Sequence, residues 1–134
     1  MSTVLVDSNV ILDVATADPR WLTWSARALE SAANESTLAI NPLIYAEVSV
    51  GFHRIEDLEL ALPATLYQRE HLPFEAAFLA GKAFLKYRRR GGHRVNPLPD
   101  FYIGAHAAVR RFRLLTRDAS RYRTYFPTVE LIHP

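Results

Sequence analysis

The 134-residue sequence contains no cysteine, so disulfides and thiolate metal sites are excluded. Lysine is almost missing as well: Lys82 and Lys86 are the only two, and arginine supplies the rest of the positive charge. Apolar runs are short, and none is long enough to span a bilayer. His53, His71, His93, His106 and His133 are scattered, with no i, i+4 pair of the zinc-binding kind, which argues against zinc. The opening "MSTVLVDSNV" has no basic leader, and Asp7 interrupts the apolar stretch that a signal peptide needs. We therefore expect a soluble, cytoplasmic protein. What is present is ordinary globular composition, with 49% hydrophobic and 22% charged residues. A chain of this length suits one domain, 1–134, able to bury roughly two thirds of its unfolded surface.

The net charge of +2 conceals an uneven distribution. Residues 1–81 carry four arginines against eleven acids, and residues 82–134 carry twelve Lys/Arg against three acids. A basic second half suits a polyanion, although a merely solvated basic face would look the same.

Strand and helix patterns alternate along the chain. "TVLV" (3–6), "TLAI" (37–40), "RLLT" (113–116) and "VELI" (129–132) read as strands, and "TLYQREHLPF" holds another candidate. "SNVILDVATA" turns helical, with Ser8 or Asn9 as its cap. Helices are also expected over 20–33, over 41–52 with Pro42 at the first position, over 55–62, over 75–90 and from about Asp100 to Arg111. A short one should follow "RLLT", and "GGHRVNPLP" (91–99) reads as a loop. The fold class is α/β, with a central, mostly parallel sheet flanked by helices.

Ligands of open α/β sheets gather beyond the carboxyl ends of the strands. Asp7 directly follows "VLV", Asp118 lies two residues after "LLT", and Asp100 would cap a helix entering the same rim. Glu47 sits in a helix among Leu43, Ile44, Ala46, Val48 and Val50, an unusual place for a carboxylate without a partner. Each aspartate alone could be a helix cap, and Glu47 could lie on a polar stripe. Four acids gathered at one rim are harder to explain so, because like charges raise each other's pKa and cost stability unless a cation offsets them. Oxygen donors of this kind suit Mg²⁺. With arginines to hold a phosphodiester backbone, the implied chemistry is hydrolysis of a nucleic-acid strand.

"VLVDSNVILD", "NPLIYAEV", "LPDFYIGAHA" and "LLTRD" resemble, in that order, the acidic motifs of PIN-domain ribonucleases, and more closely those of VapC-type toxins of toxin–antitoxin pairs. The resemblance runs over nearly the whole chain. It implies a PIN-like sheet between helices, dependence on Mg²⁺ or Mn²⁺, endonucleolytic cleavage of RNA such as tRNA or rRNA, inhibition by a small antitoxin, and a homodimer. Position by position it puts the family acids on Asp7, Glu47, Asp100 and Asp118, with Asp7 and Asp100 as main metal ligands and the other two completing the site directly or through water. Asn9 and Thr116 would orient those carboxylates.

For RNA contact the candidates are Arg88, Arg89, Arg90 and Arg94 of "KYRRRGGHR", together with Arg117. Arg110, Arg111 and Arg113 cannot all face one way. Trp21 and Trp24 share a helix face and are read first as core packing, with a docking patch as the alternative. Tyr102, Tyr122 and Tyr125 could stack on bases. Three rival functions stand against the toxin. A housekeeping nuclease of the same fold, acting on RNA or DNA, would lack a small upstream reading frame. A non-catalytic RNA-binding module would bind unaffected by EDTA. A phosphotransfer domain would want an acid where Asn9 stands and a lysine near the last strands, and neither is present.

Overall fold

The computed structural model describes residues 2–94 and 98–134. Four strands follow the short apolar runs: β1 (Thr3–Val6), β2 (Thr37–Ile40), β4 (Arg113–Leu115) and β5 (Leu131–Ile132); β3 (Tyr67–Arg69) lies within the polar segment suspected of holding one. All pair in parallel, in the order β3-β2-β1-β4-β5. Burial explains their composition. Val4, Leu5, Val6, Leu114 and Leu115 are wholly enclosed, so the central strands need apolar side chains on both faces.

The helices are α1 (Ser8–Ala15), α2 (Leu22–Glu35), α3 (Pro42–Ser49), α4 (Ile55–Ala61), α5 (Phe74–Arg89), α6 (Pro99–Arg110) and α7 (Ser120–Tyr125). α3 begins as its sequence dictates: Asn41 Oδ1 accepts from the Ile44 N–H at 2.9 Å, and Pro42 fills the first turn. α6 packs against α5 and α7, burying Phe101, Ile103, Ala105 and Ala107. Trp21 and Trp24 meet edge to face at 6.4 Å; Trp24 packs half-buried against the core as expected, whereas Trp21 is not part of that packing and has the Arg20 and Arg117 guanidiniums over its ring. The expected loop at 91–99 includes 95–97, which lie outside the described residues.

Chain direction places the site. Successive strands run outward from β1 to β2 and β3, then the chain returns to the other side of β1 to lay down β4 and β5. The crevice of such a sheet opens where the order reverses, here between the carboxyl ends of β1 and β4. Asp7 and Thr116 are the residues that leave those two ends, and the Asp7 N–H is bonded to Leu115 O at 2.8 Å.

Candidate active site

Asp7 is buried, at 4% exposure, and both its oxygens are engaged. Oδ1 accepts from the Ser8 N–H at 2.8 Å. Oδ2 accepts from the Thr116 hydroxyl at 2.9 Å and from the Tyr122 hydroxyl at 2.9 Å. Asp7 itself, rather than Ser8 or Asn9, is the cap of α1, because the strand ends one residue earlier than a Ser8 cap would require. Thr116 is held in turn by the Asn9 amide at 3.4 Å, and Asn9 Oδ1 accepts from the Arg117 N–H at 3.2 Å.

The other acids are joined to Asp7 through two hydroxyl groups. Ser8 Oγ donates to Glu47 Oε1 at 2.9 Å and lies 3.4 Å from Asp7 Oδ1. Tyr122 Oη lies 3.4 Å from Asp100 Oδ1. Glu47 and Asp100 are both half-buried. Asp100 does not cap α6: Pro99 takes the first helical position after Leu98, which moves Asp100 inside the first turn, where it makes no capping bond. Asp118 is exposed and stands just before α7, with Oδ1 near the Ser120 N–H at 3.4 Å and its hydroxyl at 3.2 Å. Its charge nevertheless reaches Asp100.

The electrostatics follow from this crowding. Burial first, and then the charge of Asp100, push the Asp7 carboxyl above its ordinary range, against the pull of Tyr122 and Thr116. Glu47 is raised by burial and by Asp7 and Asp100, with Ser8 opposing. Asp100 is raised by burial and by Asp118, although Arg121 and Tyr122 draw it down. Tyr122 is pushed well above the usual phenol value by burial and by the same carboxylates, so it stays a neutral proton donor between Asp7 and Asp100.

Every donor in this set is oxygen, and the mutual repulsion is what a hard divalent ion relieves, so the chemistry of the residues fits such an ion. Among the described residues, no group of three or more acidic, histidine or cysteine side chains is arranged to hold a metal.

A family model described as PIN domain matches residues 4–127. The chain belongs to the PIN domain family. This PIN domain is similar to VapBC2 of Rickettsia felis, solved bound to a DNA fragment from its promoter, at TM-score 0.75 and 18% identity over 98% of each chain. It is also similar to VapBC-1 of nontypeable Haemophilus influenzae, at TM-score 0.73 and 16% identity over 98% of this chain and 97% of that one. A toxin–antitoxin complex of Klebsiella pneumoniae aligns at TM-score 0.68 and 22% identity over 89% of both. These likenesses are of fold. Among curated proteins none matches the sequence.

The arginines of the PIN domain divide into spent and open ones. Arg117 Nε and Nη2 grip the buried Asp13 at 2.9 and 3.0 Å, and its guanidinium stacks over Trp21 at 5.3 Å. A group expected to face RNA is thus placed in a fork that fastens the β4 end to α1. Arg110 pairs with Glu70, Arg113 with Glu130, and Arg88 Nη1 donates to Arg94 O at 2.6 Å. Arg89, Arg90 and Arg94 are exposed. Tyr122, at 1% exposure, has no face to offer a base.

Tyr122, Ser8 and Arg121 were not singled out for this site by the sequence. A tyrosine four residues after Asp118 in a short helix carries no local sign that its hydroxyl meets two distant carboxylates.

Proposed function

We propose that this PIN domain is a divalent-metal-dependent endoribonuclease and the toxin of a toxin–antitoxin pair. One observation carries the reading: Asp7, Glu47 and Asp100, from three separate helices, are drawn together at the carboxyl end of β1 through the Ser8 and Tyr122 hydroxyls. Helix capping accounts for Asp7 alone, since Asp100 caps nothing and Glu47 lies in the last turn of α3. In this reading Asp7 and Asp100 hold Mg²⁺ or Mn²⁺, and Glu47 and Asp118 complete the site directly or through water. The ion, when bound, would lower the pKa of an attacking water and offset charge on the phosphate. Thr116, Asn9 and Tyr122 keep Asp7 in one orientation, and Arg89, Arg90 and Arg94 attract the RNA backbone. Arg117 is better read as a fastener, because Asp13 already takes two of its donors.

The relatives of similar fold are toxin–antitoxin complexes, which supports a small antitoxin as partner; a homodimer and a cytoplasmic site of action complete the proposal. No helix among the described residues is long and apolar enough to cross a membrane. The test is cleavage of total RNA with Mg²⁺ or Mn²⁺, with and without EDTA. Cleavage should stop in EDTA and fall at least about a hundredfold in Asp7→Asn and in Asp100→Asn. Metal-independent cutting, or full activity in both variants, would overturn it.

A further inference from the structure

Among the described residues, Arg121 is the cation that forms an ion pair with a carboxylate of the candidate site, with Nη1 3.4 Å from Asp100 Oδ2. The contact is longer than a tight charge-assisted hydrogen bond, and both side chains are more than a third exposed, so it holds loosely. Arg117 provides the contrast, gripped at two points by Asp13. Yet Arg121 is not left to wander. Its guanidinium lies 5.8 Å from the Tyr87 ring centre and 5.7 Å from that of Phe101. Those two rings meet at 5.5 Å, and Phe101 meets Tyr125 at 5.4 Å. At the far side of the same aromatic layer, Arg90 stands 5.5 Å over Tyr125. One continuous layer therefore carries two arginines, one beside the acids and one at the basic end of α5.

A guanidinium has five donors in a planar fork suited to phosphate oxygens. Stacking on rings orients that fork and reduces the entropy lost when it binds. We infer that Arg121 is a substrate-positioning residue, exchanging Asp100 for a phosphodiester of single-stranded RNA at the site, while Arg90 takes a phosphate further along a strand that follows the Tyr87–Phe101–Tyr125 layer. This rests on the reading of the protein as a ribonuclease. It gives Arg121 a task that a plain counter-charge for Asp100 would not have.

The test measures binding without cleavage. A fluorescent single-stranded RNA of about twelve nucleotides is titrated in EDTA with the wild type, Arg121→Gln and Arg121→Lys, at KCl from about 50 to 200 mM. Arg121→Gln should weaken binding about tenfold and make the plot of log affinity against log salt shallower by roughly 0.7, the worth of one phosphate contact on a single strand. Arg121→Lys should restore the slope but only part of the affinity, since it keeps the charge and loses the stacked fork. Wild-type affinity and slope in Arg121→Gln, with the wild type binding well, would overturn the assignment and leave the nuclease reading intact. Failure of all three proteins to bind RNA would overturn the assignment, and cleavage with Mg²⁺ or Mn²⁺ decides the nuclease reading separately.

Discussion

Tyr122 shows what one hydroxyl can do when it is buried among charges. Its proton goes to Asp7 Oδ2 at 2.9 Å, and its oxygen stays 3.4 Å from Asp100. Two carboxylates repelling across that gap are separated by a neutral donor that cannot ionise at ordinary pH. A hydrogen bond to a charged acceptor contributes about 1.5–3 kcal/mol. Tyr122→Phe should keep the ring in the core and lose that bond. The hydroxyl lowers the pKa of Asp7, so its loss raises it further, and the acid limb of the cleavage pH profile should move to higher pH. Calorimetric titration with Mn²⁺ should show affinity reduced roughly tenfold. An unchanged acid limb together with unchanged Mn²⁺ affinity would make Tyr122 a core residue only. Nothing in the sequence announced this. The aspartates were legible because each lies just past a strand or at a helix start, and Glu47 because it interrupts an apolar helix, whereas a buried tyrosine acquires its partners only when α7 folds against β1 and α6.

Elements explain which parts were readable. "TVLV", "TLAI" and "RLLT" became β1, β2 and β4 with little change, because strands buried on both faces must be continuously apolar. Asn41 with Pro42 fixed the start of α3 through purely local chemistry. The caps of α1 and α6 were misassigned by one or two residues, since a cap depends on where the preceding strand or proline leaves the chain. Strand order was not legible at all, being set by contacts between distant segments. Gly104 illustrates such a contact. A Cβ there would lie 2.3 Å from the Phe126 ring, so α6 and the end of α7 approach each other over a residue with no side chain. That approach also brings Tyr122 toward Asp100. Gly104→Ala gains about 1 kcal/mol of helix propensity but overpacks the core by about 1–3 kcal/mol, and the net should be lower stability in urea unfolding. Phe126→Leu should recover part of the loss, with a coupling of at least about 0.5 kcal/mol in the double-mutant cycle. A neutral or stabilising Gly104→Ala would mean that the ring moves aside freely.

On the scale of the whole molecule, the first half of the sequence is acidic and the second basic, and Asp7 of the first meets Thr116 and Tyr122 of the second beside Asp100. The cost of that junction should be visible in stability. Asp7, Glu47 and Asp100 all have folded-state pKa values above the ordinary 3.8 and 4.5. Below those ordinary values the groups are protonated in both states and cost nothing. As pH rises, the unfolded chain releases its protons first, so stability falls until the folded carboxyls have also ionised, and then levels off. Asp18 and Glu59, whose values are lowered, act in the opposite sense, but both are at the surface and screened, whereas the buried His106, lowered by desolvation, recovers stability as pH rises through its ordinary 6.5 and opposes the acids in the same window. Asp100→Asn removes one of the repelling charges and leaves His106 in place, so in EDTA the margin by which it melts above the wild type should widen from about pH 5 to about pH 8, each kcal/mol appearing as roughly 4 °C. Added Mg²⁺ or Mn²⁺ binds the folded form alone and should raise the wild-type melting temperature at pH 8 more than that of Asp100→Asn. If the margin between Asp100→Asn and the wild type does not widen between about pH 5 and about pH 8 in EDTA, or if the metals raise both proteins equally, the acids are not a strained cation site and the charge at this junction has been offset by other means.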